Sequence, residues 1–179
     1  MSSKFSYKEF YNELESSLPT SSGESRKIWV KTVLERKLKL KDLSGLLLCD
    51  QKIATRFLWL MSEVGIANPS KLFAELPYLL DFCEQLNPEY KKSFASYWLI
   101  AGVPPENESR AIDLLFHWLL SNNTNITIKA RSFLVLYELT KKYPELKNEL
   151  KLCLTDQMDK YSKDFKKRAA KILTALEQD

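Results

Sequence analysis

Arg56, Trp59 and Glu63 stand at positions i, i+3 and i+7 of one helical stretch, and Arg131 with Glu138, then Arg168 with Lys171, recur at the same offsets farther along the chain. A guanidinium offers five donors in a rigid fork that fits a carboxylate or phosphate. An aromatic side chain beside it offers a surface on which a peptide side chain or a base can stack. These seven residues form the candidate binding set. The competing role is structural: in a stack of helices, a column of arginines ties neighbouring elements together through acidic side chains or carbonyl groups. Trp59 lies off the apolar stripe of its helix and is expected to be exposed. Tyr97 and Trp98 lie on the stripe and are expected in the core.

Catalytic chemistry finds little to work with. His117, the one histidine, is flanked by Phe116 and Trp118, and the only acidic neighbour one turn away is Asp113. That spacing suits a structural hydrogen bond. A metal would need further ligands, and no Ser/His/Asp or Cys/His arrangement can be assembled around a single histidine. Glu106 and Glu108 follow Pro104-Pro105 at a helix start, where carboxylates complement the positive end of the dipole. No glycine cluster or Walker-type loop is present to cradle a phosphate. Neither an enzymatic activity nor a metal or cofactor is expected. Cys49, Cys83 and Cys153 are odd in number and set among Leu46, Leu47, Leu48, Leu152 and Leu154, the pattern of small buried hydrophobes in a reducing compartment.

The 179 residues include 45% apolar types, four glycines and seven prolines, which excludes collagen-like and low-complexity classes. Charge is uneven along the chain. Residues 1–60 carry 11 basic and 7 acidic side chains, residues 61–123 carry 4 and 8, and residues 124–179 carry 12 and 8. Two basic ends around an acidic middle argue against a continuous track for a nucleic-acid backbone. The densest basic cluster, Lys166, Lys167, Arg168 and Lys171, has Asp164 and Glu177 near it and reads as a solvated helix face. Met1-Ser-Ser-Lys4 runs directly into Phe5, Tyr7, Glu9, Phe10 and Glu13 without the apolar core of an export signal. The longest uncharged stretch, Ser93 to Pro105, is too short to cross a bilayer. A cytoplasmic protein is expected.

Apolar residues recur at spacings of three and four nearly everywhere, and sustained alternation is lacking, so the elements that position these groups are expected to be helices. Tyr7, Phe10, Tyr11, Leu14 and Leu18 form the stripe of a first helix ending before Pro19. A second helix is expected from about 24 to 40, and a stunted one near 42–48. Asn68-Pro69 and Asn87-Pro88 each pair a capping side chain with a proline and mark helix starts. Ile53, Tyr90, Ile128 and Phe165 then align at spacings of 37, 38 and 37. Seven residues on stand Leu60, Tyr97, Val135 and Ile172; eight on, Met61, Trp98, Leu136 and Leu173; eleven on, Val64, Ala101, Leu139 and Leu176. These positions share about 100° of arc, one buried face. Partner helices are expected near 70–86, 107–122 and 145–160. Gly65 and Gly102, each twelve residues past a repeat start, are expected to end helices with positive φ.

A helix pair repeating every 37–38 residues cannot bury its apolar face alone and must stack on its neighbours. Through Ile128-Lys-Ala-Arg131 to Leu139 and Phe165-Lys-Lys-Arg168 to Leu176, the chain resembles the HEAT/armadillo-like repeat superfamily. The resemblance covers residues 42–179, with 1–41 as an atypical N-terminal capping pair of one domain spanning 1–179. It implies an all-α fold, a right-handed α–α superhelix of about five antiparallel helix pairs whose second helices line a concave surface. It also implies a non-enzymatic scaffold that binds a protein or peptide partner along that surface. The alternative is a nucleic-acid-binding protein resembling the HEAT-like DNA glycosylases for alkylated bases, which use an Asp with aromatic and Arg neighbours. Arg56 with Trp59, or Asp164 near Arg168, are the nearest pieces, without a residue-by-residue match.

Overall fold

A computed structural model describes residues 7–178, and all regular elements among them are helical. Residues 1–6, on which part of the N-terminal reading and Phe5 fall, and residue 179 lie outside the described residues. The chain divides into two compact units, residues 1–91 and 92–179.

The first unit contains α1 (Tyr7–Ser17), a 3-10 turn (Leu18–Thr20), α2 (Gly23–Glu35), a 3-10 run (Leu40–Leu48), α3 (Gln51–Ala67), α4 (Pro69–Glu84) and the single turn α5 (Pro88–Lys91). Its centre is α3, which packs against α2, the 3-10 run and α4. Phe57, Leu60, Met61 and Val64 of α3 are buried, as are Val33, Leu43, Leu46, Leu72 and Leu76 on the elements packed against it. The second unit contains α6 (Phe94–Ala101), a 3-10 turn (Pro105–Asn107), α7 (Glu108–Leu120), α8 (Ile126–Thr140), α9 (Leu146–Gln157), a 3-10 turn (Met158–Lys160) and α10 (Lys163–Gln178). Here α8 is central, touching α6, α7, α9 and α10. Trp98 stacks on Trp118 with centroids 6.2 Å apart, and Phe133 meets Phe165 edge-on at 5.3 Å. The columns at seven residues past each repeat start, Leu60, Tyr97, Val135 and Ile172, are all buried.

Capping explains where the repeated helices begin. Asp50 Oδ1 accepts from the backbone N–H of Lys52 and Ile53, Asn87 Oδ1 from Glu89, Asn125 Oδ1 from Ile128 and Ser162 Oγ from Phe165. These four caps fall three residues before Ile53, Tyr90, Ile128 and Phe165, so the start signal repeats with the same 37–38 residue period as the core. Each satisfies donors that a helix start otherwise leaves bare.

Three expectations give way. The second helix stops at Glu35 rather than near 40, because Lys37 turns left-handed at φ 54. Lys37 N–H then donates to Leu34 O at 3.1 Å and Leu38 N–H to Val33 O at 3.0 Å, the double bond of a Schellman stop. Gly102 does end α6 at φ 89, but Gly65 lies buried within α3, which runs on to Ala67 and stops at Asn68. Finally, the stretch read as one helix from Pro88 to Ala101 is two, α5 and α6, with a turn at Lys92-Ser93 between them. Ser93 is also where the arginine column lapses.

Candidate functional site

In the first unit the candidate residues cluster around one indole. Trp59, 47% exposed, projects from α3, and the Arg56 guanidinium lies over its ring at 4.9 Å. Arg26 of α2 reaches the same ring at 5.7 Å and is fixed there by Glu63, Nη1 to Oε1 3.1 Å. The three residues picked from spacing are therefore brought together, and Arg26 joins them. Its signal in the sequence was faint, since no periodicity links α2 to α3. Arg56 makes no hydrogen bond or ion pair with any described residue. Beside it a depression of about 360 Å³ is lined by Gln51, Lys52, Thr55 and Arg56.

The second unit holds a groove of about 340 Å³ between α6, α8 and α10. Leu99, Ile126, Ala130, Leu134 and Phe165 give it an apolar lining, while Arg131, Arg168 and Asp164 supply its charge. Arg131 is half-buried and donates from Nη1 to Ser96 Oγ at 2.6 Å, tying α8 to α6. That is part of the structural role an arginine column could play, with a serine hydroxyl as partner in place of an acid or carbonyl. Arg168 and Lys171 lie exposed on α10. Glu138 pairs with Lys141 at 2.7 Å and lines a second depression of about 440 Å³ with Trp98, Leu99, Val135 and Lys142.

Other groups fall outside these surfaces. His117 and Asp113 are both exposed on α7 and form no hydrogen bond with each other. Glu108 does more than sit at a helix start. It accepts two bonds of 2.7 Å from Lys142 Nζ and one from the Tyr143 hydroxyl, and these hold its carboxyl below the usual range. Burial pushes the Cys83 thiol up to about 12 and also raises Cys153. Cys49, half-buried, is raised by burial and by the Glu15 carboxylate that accepts from its Sγ. No group of three or more His, Cys, Asp or Glu among the described residues is placed to hold a metal. No helix among them is long and apolar enough to cross a membrane.

Two features escaped the sequence. Lys37, Lys39, Lys41 and Lys71 share a depression of about 480 Å³ with Glu75 and Tyr78. Glu75 is already engaged there, accepting from the backbone N–H of Leu40 and Lys41. Lys129 is fully buried in the second unit, where its Nζ donates to Leu119 O at 2.6 Å and lies 5.1 Å over the Tyr161 ring.

Helix pairs in a 37–38 residue register, with a common buried column and a common cap, are the features of a repeat protein. A sequence model of the HEAT repeat domain matches residues 10–176. The chain belongs to the HEAT repeat family. The match begins inside α1, so the HEAT region takes in the first helices, those expected to form an atypical capping pair. No curated protein and no solved structure matches the chain. HEAT repeat proteins commonly mediate protein interactions and are generally non-catalytic.

Proposed function

We propose that this HEAT repeat chain is a non-enzymatic interaction module that seats a protein segment on the flank of its repeated helices. The observation that carries this is the groove of the second unit. Its apolar lining gains from desolvation on contact, and Arg131 and Arg168 offer paired donors to carboxylates of the incoming chain. Arg131 is held by Ser96 and loses little freedom on binding. Glu138 lines the adjoining depression, which shares Leu99 with the groove, and exposed Lys171 on α10 is the remaining member of the candidate set. A partner engaged as an extended or helical segment belongs to the same proposal, as does a cytoplasmic setting, which the three free cysteines favour.

Site-specific photocrosslinking tests it. A photoreactive residue placed at Leu134, in the groove, should crosslink to a protein of the source lysate, while one at exposed Leu152 of α9 should not. Equal capture from both positions, or none from Leu134, would overturn the assignment of the groove.

A second reading rests on the depression with four lysines in the first unit, a place where a phosphate backbone would find positive charge. The glycosylase variant of that reading gains Asp164 with Phe165 and Arg168 at one groove, whereas Arg56 and Trp59 belong to the other unit. A gel shift on duplex DNA decides it: a complex that weakens by decades between low and physiological salt supports nucleic-acid binding, and an unshifted band supports the protein-partner reading.

A further inference from the structure

Arg56 is the best-prepared donor in the first unit. Its guanidinium rests on Trp59 and is half-buried, yet none of its five N–H groups is used by a described residue. Trp59 in turn is steadied by Arg26, which Glu63 holds, so the Glu63 carboxylate on the same face of α3 is already occupied by another cation. The adjoining depression is lined by Lys52, Thr55, Gln51 and Arg56, two cations and two neutral hydrogen-bonding side chains with no acid among them. The Asp50 carboxylate nearby caps α3 by accepting from Lys52 and Ile53 N–H.

We propose that Lys52, Thr55, Arg56 and Trp59 form a recognition site for an acidic peptide segment of a protein partner. Arg56 receives an Asp or Glu carboxylate in its fork, Lys52 and Thr55 hold the adjoining polar groups, and the exposed part of Trp59 takes a large apolar side chain. Size and charge select this occupant. The depression has room for a side chain or two rather than a folded surface. From Arg56 to Trp59 the helix rises about 4.5 Å, the reach of one to two extended residues. The acid and the apolar residue should therefore lie one or two positions apart. Residues 1–91 carry 13 basic and 12 acidic side chains, so the positive charge at Arg56 is local. A local charge suits one carboxylate better than a polyanionic backbone, which rewards an extended field. Stacked Arg and Trp are also the residue types that dominate the energetics of protein interfaces.

The site shares only its class of partner with the groove reading and lies wholly in the first unit. Random-sequence peptide display against the full chain tests it, followed by fluorescence anisotropy on the selected peptides. The expected result is enrichment of Asp or Glu one or two positions from Leu, Phe, Tyr or Trp. Affinity should fall at least tenfold in Arg56→Ala and in Trp59→Ala. Arg56→Lys, which lacks the fork, should also bind more weakly. Replacing the peptide's acid by its amide should cost as much in the parent protein and nothing further in Arg56→Ala, the non-additivity of a direct pair. Leu134→Glu fills the other unit's groove with charge and should leave these affinities alone, so failure of the groove reading and failure of this one are told apart. Far-UV circular dichroism on each variant ensures that lost binding is not lost folding. Absence of an acidic motif, or selected peptides indifferent to Arg56→Ala in a folded protein, would overturn the proposal. Displacement of the peptides by a single-stranded oligonucleotide at physiological salt would also overturn it, in favour of a nucleic acid.

Discussion

Lys129 is a cation inside the second unit without an ion-pair partner among the described residues. Its ammonium is held by a carbonyl at the C-terminal end of α7, where the helix leaves acceptors unpaired and the dipole favours positive charge. The Tyr161 ring faces it as well. Because burial of a charge costs much of what these contacts return, Lys129→Met should change stability by no more than about 1 kcal/mol in a denaturant melt. Lys129→Ala, which adds a cavity to the lost bond, should cost about 2–4 kcal/mol. Glu108 makes the opposite wager, a carboxylate near the surface with two donors. Its pKa is lowered in the folded state, first by Lys142 and then by Tyr143. The stability it contributes is therefore present above the ordinary carboxylate pKa and fades as pH falls through the lowered folded value. Glu108→Gln should melt about 2–4 °C below the parent at pH 7, the shift of roughly 1 kcal/mol in a chain of this size. The two melting temperatures should converge as pH falls through that lowered value.

At the scale of elements, the starts of helices are easier to read than their ends. Asn68-Pro69 and Asn87-Pro88 announce themselves by residue type, and both begin helices. The end of α2 is hidden because its left-handed residue is Lys37, a type that seldom adopts positive φ. Lys37→Gly should relieve that strain and raise stability by about 0.5–1 kcal/mol, measured as a higher urea midpoint at unchanged slope. Gly65 misleads for the converse reason, since glycine within a helix carries no mark that separates it from glycine just past one. The repeated helices and their partners were legible because 3–4 periodicity persists through burial. Of the candidate surfaces, Arg56, Trp59 and Glu63 were legible because they share a face of α3, and Arg131 and Arg168 because they share a repeat column. Arg26 comes from another helix, Ser96 lies 35 residues from Arg131, and Lys129 is of a type whose default is exposure.

For the molecule as a whole, Cys83 and Cys153 place one buried thiol in each compact unit. Burial keeps both protonated well above neutral pH, Cys83 up to about 12. Since the thiolate is the reactive form, neither should be alkylated by iodoacetamide at pH 8 while its unit is folded. In a urea series, mass spectrometry of the alkylated peptides should report the opening of residues 1–91 at Cys83 and of residues 92–179 at Cys153. Rapid modification of either thiol without denaturant would contradict the burial described for that unit. The caps at Asp50, Asn87, Asn125 and Ser162 bear on how such a chain can grow. Every repeat carries its own initiation signal at its own boundary, so a stretch cut from one cap to the next is a self-starting cassette. Duplicating the 37 residues that run from Asn125 to Tyr161 would insert a helix pair already supplied with the side chain that begins it, and lengthening by copying needs no new start to be invented.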